Sequence, residues 1–256
     1  MFIFKNIIER PALDLIDDVV ISCSTLNASI ENFAMSDYIL DSLLLKLTGF
    51  HEQKFKLLMW EIATLNGDTR KKFSKQEKPY DRMGEYSQFK VKNTIYKSLV
   101  NQILYFKGDL DEAKSQRAEI LSLATECIIQ KFDSSVLSAA KIQQFSEYKV
   151  NYDNFHFRES QILSFANDGA STLLQSSLQS IYDDLIDHRN KIAHNTFASR
   201  VSSPSLNMLS DKPNEHGKGN YFAWIGVIVL VDEIIIRLYR ILIECSYKSP
   251  DILEML

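Results

Sequence analysis

Hydrophobic positions recur at steps of three and four along most of the chain, the period of one face of an α-helix. Leu13, Ile16, Val20, Cys23, Leu26, Ile30 and Phe33 form the first such stripe and predict a helix over residues 12–33, with Pro11 placed where a first-turn proline is tolerated. Ser36 reads as the N-cap of a helix through Lys46 that Gly49 ends, and residues 51–66 form the next, stopped by Gly67. Residues 86–107 run to Gly108. Asp109 then caps a helix over 109–132 whose first turn is acidic, as the helix dipole favours, and Asp133 caps one reaching residue 149. Helices over 171–195 and 219–246 complete the pattern. Residues 150–158 are aromatic and irregular. Two longer stretches lose the period: 67–85, rich in Lys and Arg, and 197–218, with two Pro and five Ser. Long irregular segments in a compact domain are usually functional or mobile.

Composition narrows the fold. The 256 residues include 8 Gly and 5 Pro, too few for the many turns of a large sheet protein. Hydrophobic residues make up 45% and charged residues 24%, the balance of an ordered globular chain. The expected fold is an all-α helical bundle forming a single domain over 1–256, with no internal repeat. Cys23, Cys127 and Cys245 lie far apart and form no C-x-x-C. That excludes a disulfide framework or a zinc site, leaves each cysteine as a small buried apolar residue, and points to a reducing, cytoplasmic compartment. Residues 1–10 carry charges and lack the features of an export signal. The most apolar run, Tyr221–Val231, is 11 residues long, and a membrane span needs ~20; a buried amphipathic helix is expected instead, with no membrane partner.

The formal net charge is −4, which excludes a polybasic binder but not a local basic patch. Such a patch exists. Arg70, Lys71, Lys72, Lys75, Lys78, Arg82, Lys90, Lys92 and Lys97 face only Glu77, Asp81 and Glu85 within residues 70–97, with Tyr80, Tyr86 and Phe89 interleaved. Phosphates attract such a segment and aromatics stack exposed bases. Lys71, Lys72 and Lys75 are therefore candidate RNA contacts; the alternative is a solvated lysine-rich loop.

The segment Asp183-Asp184-Leu185-Ile186-Asp187-His188-Arg189-Asn190-Lys191-Ile192-Ala193-His194 carries the densest chemistry. At about 100° per residue, Leu178, Ile181, Leu185 and Ile192 share one sector, while Asp183, Asp187, Asn190 and His194 share one on the opposite side. A polar stripe opposite an apolar one is also what any surface helix shows. His188 sits at the edge of the apolar stripe, either as a core-flanking histidine or as a secondary RNA contact. His51, His156 and His216 are isolated and read as structural or solvated. Asp183 and Asp187 lack the His or Cys companions of a metal site, so pairing with Arg or Lys is expected of them. Trp224, Ile228, Val231, Ile235 and Leu238 form a stripe for the core or a dimer interface, and Tyr152, Phe155 and Phe157 likewise read as core or interface.

The run Arg189-Asn190-Lys191-Ile192-Ala193-His194 resembles the R-x4-6-H signature of the HEPN superfamily in its R-N-x-x-x-H form. One apolar helix leads into it and another follows after a loop, as in that family. The resemblance covers residues 180–196 and, loosely, the helices after them. It implies a HEPN-like part within 109–256, carrying an N-terminal helical elaboration. It also implies a metal-independent endoribonuclease without a cofactor, acting on RNA as a homodimer. A toxin or anti-phage effector, with an antitoxin or defence-system partner, is the implied setting. Arg189 would hold the scissile phosphate, His194 would act as general acid/base, and Asn190 would orient one of them. Some members carry a modifiable Tyr two residues after the His; here that position is Thr196. The residue types suit the reaction: Arg matches phosphate oxygens with a permanently charged fork, and His exchanges protons near neutral pH. Arg189 and His194, five residues apart, diverge by ~140° on a straight helix, so two copies paired about a two-fold axis would converge them more simply than one. The helices over 171–195 and 219–246 are the expected dimer contacts. Both side chains are expected to line a cleft, so truncating either should leave melting nearly unchanged. The alternative function is a catalytically inactive helical protein–protein interaction module.

Overall fold

The computed structural model describes residues 2–24, 30–65, 70–71, 86–133, 135–151, 157–163, 165–166, 169–170, 172–194 and 219–248. Its centre is one long helix, Tyr221–Tyr247, buried without interruption from Tyr221 to Ile236. Asn220 caps its start: the side-chain oxygen accepts from the backbone N–H groups of Phe222 and Ala223 at 3.0 and 3.1 Å. An amphipathic helix was expected here. A helix apolar on all sides belongs in the middle of a core instead, and the other elements wrap it.

In chain order the helices are α1 (Lys5–Ile8), α2 (Ala12–Cys23), α3 (Ile30–Leu65), α4 (Phe89–Tyr105), α5 (Leu110–Ser115), α6 (Arg117–Ser122), a π turn (Leu123–Cys127), α7 (Ile128–Phe132), α8 (Val136–Ala140), α9 (Ile142–Asn151), α10 (Ser176–Ala193) and the central α11 (Tyr221–Tyr247). A two-residue antiparallel ladder, Phe165–Ala166 with Gly169–Ala170, precedes α10 in the chain and packs on α4. The fold is an all-α bundle in which α2, α3, α4, α5, α9, α10 and the π turn all touch α11.

Four expectations about boundaries are corrected. The stripe over 12–33 is divided: α2 ends at Cys23, where the Ser22 and Ser24 hydroxyls donate back to the carbonyls of Asp18 and Ile21 at 2.6 and 2.7 Å, competing with the backbone ladder. Conversely, Ser36 does not start a helix and Gly49 does not end one. Both lie inside α3, where Leu40, Leu43, Leu44 and Leu47 before the glycine and Phe55, Leu58 and Ile62 after it are all buried. Burial of those side chains outweighs the ~1 kcal/mol propensity cost of one glycine. Finally, the helix over 109–132 is interrupted at Gln116 and by the π turn. Asp109 does cap its start, accepting from Asp111 N–H at 2.8 Å, whereas Ser135 rather than Asp133 caps the helix after it.

The π turn has a clear tertiary partner. The Tyr148 hydroxyl donates to the Ala124 carbonyl at 2.5 Å, and Gly226 of α11 passes directly beneath both groups. A Cβ at Gly226 would meet the Tyr148 hydroxyl at 2.5 Å and the Ala124 carbonyl oxygen at 2.9 Å. Glycine permits this close approach.

The apolar stripe Trp224, Ile228, Val231, Ile235 and Leu238 is buried by its own chain. The expectation that α11 carries spare apolar surface for a dimer is therefore corrected: the surrounding helices cover it. Among the described residues, no helix is long and apolar enough to cross a membrane. Cys23 and Cys245 are buried thiols and Cys127 is half-buried; none of the three is bonded to another.

Candidate functional site

α10 lays Leu178, Ile181, Tyr182 and Leu185 against the bundle and leaves Asp183 and Asp187 outside. The Tyr182 hydroxyl donates to the Ser87 carbonyl at 2.9 Å, fixing the helix against the segment before α4. Arg189 follows Tyr182 by seven residues, about two turns, so it enters the same inner side. Its side chain is only 19% exposed, and Nη2 donates to Glu52 Oε1 of α3 at 2.8 Å, where Glu52 is itself 6% exposed. Nη1 donates to Asn190 Oδ1 at 3.1 Å. The Arg189 Nε is buried and has no hydrogen-bond partner among the described residues. Burial raises the Glu52 carboxyl above its ordinary pKa, while Arg189, Lys92 and a Ser87 hydrogen bond oppose that rise.

His194 is the C-cap residue of α10, its N–H bonded to the Asn190 carbonyl at 3.0 Å and its side chain exposed. One chain thus turns Arg189 inward and His194 outward, the divergence expected from helix geometry. Arg189 is not a surface group, however. Removing it would leave the buried Glu52 without this partner, so a loss of melting temperature is expected on truncating Arg189 and not on truncating the exposed His194.

His188 is half-buried against α11. Its ring stacks on Trp224 with centroids 4.5 Å apart, meets Tyr221 edge-on at 5.4 Å, and places Nε2 3.3 Å from Asp41 Oδ1. The Tyr221 hydroxyl donates to the same oxygen at 2.6 Å. Burial would raise the Asp41 carboxyl, but the His188 and Tyr221 hydrogen bonds outweigh it and hold the group below its ordinary pKa. Asp183 accepts from Gln179 at 3.5 Å. Lys71 is exposed at the edge of a described segment. Lys72, Lys75, Thr196 and the loop 197–218 lie outside the described residues, as do His156, His216, Tyr152 and Phe155. Phe157 is buried in the core. Among the described residues, no cluster of His, Cys, Asp and Glu could hold a metal ion.

Sequence reasoning passed over the buried charges of Lys54 and Asp232, and the basic segment expected over 70–97 is corrected at Tyr86, Phe89 and Lys92, which the bundle buries. Asp232 lies inside α11 and gathers Lys54 Nζ at 2.5 Å, His51 Nε2 at 3.2 Å and the backbone N–H of Ala12, at the start of α2, at 2.7 Å. Burial opposes its charge, but Lys54 and His51 prevail and hold its carboxyl below the ordinary range. Burial pushes the His51 imidazole down to about 4, so this ring is neutral at physiological pH. Lys92 of α4 is wholly buried, with Nζ 4.1 Å from the Phe55 ring centroid and 5.8 Å from that of Tyr182. A signal for it existed: Lys92 sits mid-stripe among Phe89, Ile95, Tyr96 and Leu99, where a helix facing a core carries no charge.

The chain matches no known family model, no curated protein and no solved structure.

Proposed function

We propose that this protein is a metal-independent endoribonuclease of HEPN type that cleaves RNA through its own 2'-hydroxyl, working as a toxin or anti-phage effector under the control of a partner protein. The reading rests on the R-N-x-x-x-H run and on one observation above all. Arg189 is a guanidinium only partly exposed and anchored by Glu52 and Asn190. A guanidinium held in place by its own chain is a pre-oriented, permanently charged fork, suited to a phosphate oxygen.

In this mechanism Arg189 binds the scissile phosphate and stabilises the charge that develops on the phosphorane. His194 takes the proton of the 2'-hydroxyl or returns one to the leaving oxygen. Asn190 fixes the Arg189 fork. No metal or cofactor takes part. Because Arg189 and His194 of one chain face different ways, a complete site takes Arg189 from one protomer and His194 from another in a homodimer. Lys71, Lys72 and Lys75 supply sequence-independent phosphate contacts, and the cell compartment is the cytoplasm.

The second reading, an inactive helical interaction module, draws on the same ion pair: a half-buried Arg189–Glu52 bridge is also a way to seat α10 on α3. Expression toxicity separates the two. Wild type is expected to arrest growth and His194→Ala is not. Equal growth of both would favour the module.

A further inference from the structure

The apolar packing of α10 stops before the turns that carry the proposed chemistry. Leu185 is the last buried residue of the helix, and none from Ile186 to His194 is fully buried. Two adjacent polar residues take over from there. Arg189 reaches Glu52 of α3 at 2.8 Å, and His188 places Nε2 3.3 Å from Asp41 Oδ1 of the same helix. Side chains at adjacent positions leave a helix ~100° apart, and positions 41 and 52 lie ~16 Å apart along α3. The end of α10 is therefore held in two directions. With Glu52 alone the helix could roll about its own axis and carry Arg189 and His194 with it. A second carboxylate, gripping in another direction, stops that roll.

Asp41 is tied to a rigid platform on its other side. The Tyr221 hydroxyl donates to the same Oδ1 at 2.6 Å, and the backbone N–H of Tyr221 donates to Gln144 Oε1 of α9 at 3.2 Å. The His188 ring lies between these groups, 4.5 Å from the Trp224 centroid and 5.4 Å from that of Tyr221. Burial opposes the charge of Asp41, but its hydrogen bonds to His188 and Tyr221 prevail and keep it ionised. A carboxylate only accepts, so Nε2 carries the proton and donates whether the ring is neutral or charged. We propose that Asp41 is a positioning residue: by gripping His188 and Tyr221 through one oxygen, it sets the roll of the last turns of α10 and so the directions in which Arg189 and His194 point. The role in cleavage rests on the function proposed above, whereas the hold on α10 does not.

The test takes Asp41→Ala and His188→Phe, singly and together, in the full chain. Phenylalanine keeps a flat ring against Trp224 and Tyr221 and loses the Nε2 donor. The first readout is amide hydrogen exchange over residues 189–193, which reports local opening of this end of α10. Each single variant should speed that exchange by about tenfold or more, and the double variant should go little beyond Asp41→Ala, because both changes remove one shared contact. Unchanged exchange in the single variants, or effects that simply multiply, would overturn the hold. If Asp41→Ala does not fold, Asp41→Asn decides: it keeps an acceptor oxygen, so its exchange should stay slow while that of His188→Phe rises. Equal exchange in those two would overturn the proposal. The second readout is RNA cleavage at a temperature where every variant is folded. Asp41→Ala should lower kcat by roughly tenfold to a hundredfold and change KM far less, and Asp41→Asn should restore most of the rate. Full kcat in a variant whose α10 exchanges faster would reject the positioning role. If wild type cleaves no RNA while exchange shows the shared contact, the nuclease reading fails and the hold on α10 stands.

Discussion

At the scale of single residues, the site divides into groups held by the core and groups in solvent. His194 is exposed, so His194→Ala should abolish cleavage and shift stability by less than ~0.5 kcal/mol. Arg189→Ala should also abolish cleavage but destabilise by about 1–3 kcal/mol, because it strips a buried carboxylate of its partner. Thermal melting and an RNA cleavage assay on both variants check the contrast; equal stability of the two would mean that the Glu52 bridge does not seat α10. Titration of His51 gives a further check. Its imidazole titrates at about 4 when folded and near 6.5 when unfolded. Between those values the unfolded chain binds the extra proton, so stability falls as pH drops from 6.5 toward 4. His51→Phe should flatten that acid limb of a melting-versus-pH series; an unaltered limb would show that another group governs it. The inward course of Arg189 was legible in the sequence: it lies about 20° from Leu178 around the helix, within the apolar stripe. The partner was not, because Glu52 is 137 residues away and only the packing of α10 on α3 brings the two together.

At the scale of elements, helix type and approximate position followed from periodicity, since a bundle repeats the same apolar step everywhere. Boundaries did not follow, because they depend on contacts across the bundle. Gly49 and Gly226 illustrate this. Both are glycines within helices, yet nothing lies within 4 Å of a Cβ built at Gly49, whereas one at Gly226 would strike Tyr148 and the Ala124 carbonyl. Gly49→Ala should therefore stabilise by about 0.5–1 kcal/mol through propensity. Gly226→Ala should destabilise by roughly 1–3 kcal/mol through overpacking beneath the π turn. Chemical denaturation of both variants measures the two signs; a stabilised Gly226→Ala would contradict the close approach of α11 to the π turn. The charges buried in α11 illustrate the same limit. Asp232 and Glu233 read as the end of an apolar run, but the helix carries them inside, where Lys54 and His51 meet Asp232 and Arg237 approaches Glu233.

At the scale of the whole molecule, α11 is enclosed by its own chain, so the proposed dimer would form through other surfaces, and it is the proposed cleavage mechanism that asks for a second copy, because Arg189 and His194 of one chain diverge. Mixing Arg189→Ala with His194→Ala should restore about a quarter of wild-type cleavage if each site takes one residue from each protomer, since half the molecules would be mixed and each would keep one intact site. No recovery after verified subunit exchange would reject the crossed site, and a monomer by light scattering at working concentration would reject the dimer. The central claim, that Arg189 and His194 cleave RNA without a metal, is tested most directly by incubating the purified chain with a labelled single-stranded RNA in excess EDTA, beside His194→Ala and Arg189→Ala. The account predicts that wild type cuts the RNA and leaves a 2',3'-cyclic phosphate while both variants are inert. Cleavage that disappears on chelation, or that persists in His194→Ala, would contradict it.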